Sequence, residues 1–299
     1  MNKMKKSVIV ALLAALCSVV WATSPEELLI QAAQNRDMDK LQSALNQGAD
    51  VNCTDADGFS TLLHACKKEW DEGVAYLLGK DVDVDVGNKN GKTALMYAVS
   101  HWNMTNARRL IDKGANINAK DFDGKTALMY AIESNNDRAA DFLLRQGADC
   151  LATDSYGNTV AMYAVRYKSR ALLRELVKNP LIDWNKTNND DVSPFALACM
   201  DGDLNIINRL LQEAPIEISD SHIDGMPIII WLISHRKSAI VIECLVNFCN
   251  PKEIRSMIDD EGHDIKYWAE KQGYKNILIR LYEIEEKESR RNRAYSKQR

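Results

Sequence analysis

The sequence predicts an all-α solenoid made of stacked helix–turn–helix units with β-turn or hairpin tips. Gly58, Gly91, Gly124 and Gly157 recur every 33 residues. The eight residues that begin at Gly91 are repeated without change from Gly124, as Gly-Lys-Thr-Ala-Leu-Met-Tyr-Ala. Only 14 Gly and 6 Pro occur in 299 residues, which leaves long stretches free to form helix. A fixed period of this kind indicates repeats that bury their hydrophobic faces by stacking.

The residues of one unit predict its elements in order. Asp121 and Gly124 favour a turn, because an Asp side chain accepts hydrogen bonds from the backbone that follows it and glycine adopts positive φ. The Thr126 hydroxyl caps a short first helix. The polar segment 134–137 separates it from a second helix, which Gly147 ends as a left-handed cap.

The ends of the repeat region are also marked in the sequence. Ser24 and Pro25 form a helix-start pattern, and one repeat domain is predicted over 23–284. The unit at Asp191 lacks the tip glycine. The basic segment 285–299 is predicted to be a solvated, frayed tail. Eight units begin near residues 24, 58, 91, 124, 157, 191, 225 and 262.

These markers resemble the ankyrin repeat, in which Gly-x-Thr-Pro-Leu-His-x-Ala opens the first helix and Gly-Ala-Asp closes the second. Gly-Ala-Asp stands here at Gly48 and Gly147, and Gly-Ala-Asn at Gly114. Pro194 matches the proline of the family, which Ala or Val replaces in the most regular units. The resemblance covers about residues 24–284 and implies a protein-binding scaffold without a cofactor.

The first 22 residues have the pattern of a secretory signal peptide. Three Lys precede an apolar run, and small residues follow it, so cleavage is predicted after Ala22. This predicts an exported protein, periplasmic or secreted. A lipoprotein attached through Cys17 and an uncleaved membrane anchor remain as alternatives, although the apolar run is short for a membrane span.

Charge and reactive residues exclude several function classes. The chain has 42 acidic and 38 basic residues, a net charge of −4, which argues against nucleic-acid binding. The five His occur in no metal-binding or nucleophile pattern, and Asp81–Asp85 lacks the glycine and glutamate of a calcium loop. We therefore predict no catalytic residue and no metal. A single disulfide is left open and a framework is not expected among Cys53, Cys66, Cys150, Cys199, Cys244 and Cys249.

The resemblance also implies where a partner would bind, namely the concave face formed by the tips and the exposed side of each first helix. The matching tip positions are Phe59, Lys92, Phe122, Lys125, Tyr156 and Met226. The matching first-helix positions are Lys67, Lys68, Ser100, His101, Trp102, Arg166, Tyr167, Met200 and Ser234. Phe122, Tyr156 and Met226 are equally consistent with packing on the adjacent tip. A row of mostly aromatic residues is interpreted as packing rather than recognition: His64, Tyr97, Tyr130, Tyr163, Leu197, Trp231 and Trp268.

The sequence thus predicts an exported, monomeric interaction scaffold that binds a protein partner. Two alternatives stay open, an effector or immunity-type factor and a subunit that regulates a partner enzyme. Membrane contact after signal cleavage is not expected.

Overall fold

The computed structural model describes residues 23–216, 218–237 and 239–296 of the chain. Residue contacts divide the chain into two compact parts, each made of several repeats. They are called unit 1, up to Asp121, and unit 2, from Phe122 onward. The predicted signal peptide, with Cys17 and the cleavage after Ala22, lies outside the described residues. Each unit consists of helix pairs joined by turns.

The described part of unit 1 contains three helix pairs. The first helices α1, α3 and α5 pack in succession, and α4 packs on α6, so first and second helices form separate layers. The helices are α1 (Pro25–Asn35), α2 (Met38–Asn46), α3 (Thr61–Lys67), α4 (Asp71–Leu78), α5 (Ala94–Ser100) and α6 (Met104–Asp112).

Within unit 2 the first helices α7, α9, α11, α13 and α16 also pack in succession. Its helices are α7 (Ala127–Glu133), α8 (Asp137–Arg145), α9 (Val160–Arg166), α10 (Arg170–Leu176), α11 (Pro194–Asp201), α12 (Leu204–Glu213), α13 (Ile228–Ser234), α14 (Ala239–Phe248), α15 (Pro251–Ser256), α16 (Ile265–Gln272) and α17 (Lys275–Ser296). A 3₁₀ turn, Ile218–Asp220, precedes a hairpin tip in which β1 (His222–Ile223) pairs antiparallel with β2 (Met226–Pro227). The short α15 lies between two repeats and explains the longer spacing before the last one.

The tips form as the sequence predicts. The Thr126 hydroxyl accepts a hydrogen bond from the Met129 N–H at 3.4 Å, and Ser60, Thr93, Thr159 and Ser193 cap their helices in the same way. The tip glycines adopt positive φ, for example +74° at Gly124. Where the glycine is missing, Asp191 adopts φ +56°, and the tip keeps its shape because Asp is among the residues that tolerate the left-handed region.

A second left-handed position separates the two helices of each described repeat. Gly and Asn adopt this conformation readily, whereas a bulky side chain there costs conformational energy. The position is filled by Arg36, Glu69, Trp102, Asn135, Lys168, Gly202, Arg236 and Gly273.

The core lies between the two helix layers. In α5 every residue from Ala94 to Val99 is buried, and both α3 and its own second helix α6 pack against it. The second helices bury one face only, as Ala139, Ala140 and Leu143 show in α8. Stacking therefore supplies the hydrophobic burial that one repeat cannot supply alone.

The prediction of a frayed tail is wrong for residues 285–296, which continue α17. Charged side chains pair along this part of the helix. Arg255 of α15 pairs with Glu288, and Arg290 pairs with Glu286 one turn earlier, at 2.6 Å. Sequence periodicity did not reveal this extension, because the segment has no apolar stripe.

The cysteines that the structure describes are free thiols: Cys53, Cys66, Cys150, Cys199 and Cys249. Cys66 and Cys199 are buried in the core, where they pack as small hydrophobic residues. Burial raises the pKa of the Cys66 and Cys249 thiols to about 12, which keeps both protonated at neutral pH. The Cys244 side chain lies outside the described residues.

Candidate functional site

Five of the described tips are built around one Asp or Asn side chain three residues before the left-handed tip residue. Its Oδ1 accepts hydrogen bonds from the N–H groups two and four residues further on, at 2.8–3.0 Å. The pattern fixes the backbone of the tip as an Asx turn. The residues are Asp55, Asn88, Asp154, Asn188 and Asp259.

The same side chain also joins the tip to the first helix. Nine residues further on, an aromatic or imidazole group bonds to it: His64 to Asp55 at 2.7 Å, Tyr97 to Asn88 at 3.2 Å, Tyr163 to Asp154 at 2.9 Å and Trp268 to Asp259 at 2.8 Å. The sequence predicted that these rings pack on the first helices, but the hydrogen bond from ring to tip was not predicted. An Asp or Asn followed nine residues later by a polar ring is the signal that identifies it.

The tip bonds also alter proton affinities. Burial alone would raise the pKa of Asp55, but hydrogen bonds from His64 and from the N–H groups of Phe59 and Asp57 outweigh it, and the pKa is lowered. In unit 2, burial and the hydrogen bond to Asp154 raise the pKa of Tyr163, so its phenol remains a donor.

Adjacent tips within each unit are linked through their backbones. In unit 1 the Lys89 N–H donates to the Asp57 carbonyl at 3.1 Å. In unit 2 the Ser155 N–H donates to the Asp123 carbonyl at 2.8 Å, and the Asn189 N–H donates to the Tyr156 carbonyl at 3.0 Å. The tips that these bonds join therefore form an edge, called the tip edge, whose backbone is held in place.

In unit 1 several predicted site residues contact each other. The Phe59 ring lies 5.0 Å from His64 and 5.7 Å from Tyr97, centroid to centroid. The Lys67 ammonium lies 4.5 Å from the Phe59 centroid, and Lys92 lies 4.6 Å from that of Tyr97. Phe59 is half-buried by these neighbours. Phe59 thus packs against its own first helix and the adjacent repeat.

In unit 2 a charged network covers the first helices. Lys125 Nζ pairs with Glu133 at 3.1 Å and lies 5.9 Å from the Tyr163 ring. The Tyr167 hydroxyl donates to Glu133 at 3.1 Å, and its ring stacks on Tyr163 at 6.1 Å. Burial and the Glu133 carboxylate raise the pKa of Tyr167. These charges are largely satisfied within the unit.

Three predicted aromatic residues are mostly exposed. Phe122 is 77% exposed, Tyr156 60% and Trp102 58%. The Tyr156 backbone is nevertheless held on both sides, because its N–H donates to Asp154 and its carbonyl accepts from Asn189. The ring thus projects from a fixed backbone.

The other predicted site residues are either exposed or half-buried, and the half-buried group includes residues described above. Lys67, Lys68 and Arg166 are exposed. The Ser100 and Ser234 hydroxyls donate to carbonyls of their own helices, Met96 at 2.6 Å and Trp231 at 2.9 Å, and are thereby occupied. The half-buried residues are Phe59, Lys92, Ser100, His101, Lys125, Tyr167, Met200, Met226 and Ser234.

The chemistry available in the described part of the chain is limited. No group of three or more His, Cys, Asp or Glu residues there is placed to hold a metal ion. A search of the same residues finds no helix with the length and apolarity that a membrane span requires. What the tip edge offers is aromatic rings and charges on a fixed backbone.

Comparison with known families identifies the fold. The family model of ankyrin repeats matches residues 29–121 and 107–190, with three copies, and these ranges together cover more than half of the chain. The chain belongs to the ankyrin-repeat family. No curated protein matches it. Ankyrin repeats are generic protein-interaction modules and typically have no catalytic role. This ankyrin-repeat chain is an all-α solenoid.

Proposed function

We propose that this ankyrin-repeat protein is an interaction scaffold that binds a protein partner through its tips and the exposed ends of its first helices. The observation that carries the proposal is the pair Phe122 and Tyr156, two exposed rings on adjacent tips that backbone hydrogen bonds connect. Exposed aromatics of this kind are the residues that dominate protein–protein hot spots. A surface that is already ordered loses little conformational entropy on docking.

The first prediction concerns this pair. Phe122→Ala combined with Tyr156→Ala should weaken partner binding by about tenfold or more, because two hot-spot rings are removed. The melting temperature should stay within about 2 °C, because neither ring is buried. The measurement uses in-cell photo-crosslinking to capture the partner, followed by titration of that purified partner against both proteins.

The chain contains a matched control. Leu151 and Leu181 are also large exposed apolar residues of unit 2, but they lie in the connectors after the second helices. Leu151→Ala with Leu181→Ala should leave partner affinity unchanged. Equal losses for the two double variants, or a strongly lowered melting temperature for the tip variant, would contradict the proposal.

We further propose that the protein is exported and acts after its signal peptide is removed. The Ser24 hydroxyl accepts a hydrogen bond from the Glu27 N–H and caps α1, which begins at Pro25. Cleavage after Ala22 would therefore leave the first helix and its cap complete. This arrangement supports the predicted boundary.

The second prediction follows from this boundary. Mass spectrometry of the protein from its native cell envelope or medium should find Thr23 as the first residue. An intact Met1 would indicate an uncleaved anchor or a protein that is not exported. A lipid attached to Cys17 would indicate a lipoprotein.

A further inference from the structure

We infer that the tip-and-first-helix face of unit 1 binds a short acidic segment of the partner, with Trp102 as its apolar anchor. The inference rests on the proposed function and deepens it. It assigns a ligand chemistry to one unit, and it depends on residues other than Phe122 and Tyr156.

The first supporting observation is the conformation of Trp102. This residue adopts φ +61° at the left-handed position after α5, a position that the other described repeats fill with Arg36, Glu69, Asn135, Lys168, Gly202, Arg236 and Gly273. Trp102 is the one aromatic residue among them, and it is mostly exposed. An exposed indole here stabilises neither the core nor the loop, and Trp is a residue type that dominates protein–protein hot spots.

The second observation is the charge of the same face. We define it by tips 55–59 and 88–92 and helix ends 34–36, 67–69 and 100–102. It has five Lys or Arg residues against three carboxylates. The rest of residues 23–121 has six Lys or Arg residues against twelve carboxylates. The basic residues of this otherwise acidic unit are therefore concentrated on one face.

Local contacts increase the effect of this charge. Asp55 is half-buried and engaged by His64 at 2.7 Å and by two N–H groups of its own tip. Asp57 and Glu69 are the two exposed carboxylates of the face. Among the described residues neither Lys67 nor Lys68 pairs with a carboxylate, and both are exposed. Lys67 lies over the Phe59 ring, which holds its ammonium group at the tip edge.

The equivalent face of unit 2 has the opposite charge. Across its tips and helix ends, ten acidic residues stand against five basic ones. An acidic ligand is therefore attracted to unit 1 and repelled by unit 2. Because the excess on unit 1 is only two positive charges, it fits a short acidic peptide better than the dense charge of a nucleic acid.

The test starts from a displayed library of random linear peptides selected on the full chain. Wild-type protein should enrich peptides with several Asp or Glu residues beside an apolar residue. Titration of a selected fluorescent peptide should then show at least about tenfold weaker binding to Trp102→Gly and to Lys67→Glu with Lys68→Glu. Trp102→Gly is suited to the left-handed position, so its melting temperature should equal or exceed that of the wild type.

The control is Arg166→Glu with Lys168→Glu, which reverses a pair of exposed basic residues in unit 2. Its affinity for the selected peptide should be unchanged. Enrichment of neutral or basic peptides, no enrichment at all, or equal binding to Trp102→Gly would overturn the inference. So would an oligo-dT strand that competes with the peptide at equal concentration. None of these outcomes affects the scaffold proposal, which the Phe122 and Tyr156 variants test separately.

Discussion

Asp154→Ala should lower the free energy of unfolding by about 3 kcal/mol, because four hydrogen bonds of roughly 1 kcal/mol each are lost with partial compensation by water. Asp154 is buried and accepts from the Tyr156 and Asn158 N–H groups, from the Asn158 side chain and from the Tyr163 hydroxyl. The Tyr163 hydroxyl would be left buried without this partner. Urea denaturation followed by circular dichroism measures the change.

The control for this prediction is Asp154→Asn, which retains an Oδ1 acceptor for the turn. Asn88 occupies the same position in its own tip, where its Nδ2 donates to the Tyr97 hydroxyl at 3.2 Å. The Asn variant should therefore cost no more than about 1 kcal/mol. If Asn were as costly as Ala, the negative charge rather than the hydrogen-bond geometry would hold the tip.

Gly124→Ala should cost about 2–3 kcal/mol, from left-handed strain of roughly 1 kcal/mol and from steric overlap. Gly124 has φ +74°, and a Cβ atom there would lie 2.7 Å from the Ser155 nitrogen and 3.0 Å from the Asp154 carbonyl carbon. Both are backbone atoms of the next tip, which cannot move without breaking the bond from Ser155 to Asp123.

Gly225 provides the matched comparison for that substitution. It occupies the same tip position with φ +76°, but nothing lies within 4 Å of its Cβ position. Gly225→Ala should therefore show the left-handed strain alone, about 1 kcal/mol. Urea denaturation of both variants gives the difference. Equal costs would mean that adjacent tips do not press on each other in solution.

The tips show how far the local sequence could predict the fold. The tip turns and the hydroxyl caps each depend on residues within one repeat, and Thr126 caps its helix as predicted. Asp191 shows the same, since its tip forms without a glycine. The bond that the Tyr163 hydroxyl donates to Asp154 lies within one repeat and follows the nine-residue spacing. The bond that Ser155 donates to Asp123 escaped prediction, because it depends on how two tips are oriented in space.

The candidate surface depends even more on neighbouring repeats. Phe59 follows its tip glycine, whereas Phe122 and Tyr156 precede theirs. Phe59 is covered because Lys67 of its own repeat and Tyr97 of the next repeat meet its ring, whereas Phe122 and Tyr156 remain exposed. The exposure of a tip ring therefore depends on its place in the tip and on side chains from both its own and the adjacent repeat.

The sequence by itself determined the repeat, the helix pairs and the family, because these follow from local capping, turn chemistry and hydrophobic period. Only the tertiary structure decided which rings project toward solvent, that Trp102 occupies a strained left-handed position, and that α17 extends to Ser296. Each of these depends on contacts or backbone angles that arise when helices from different parts of the chain pack together.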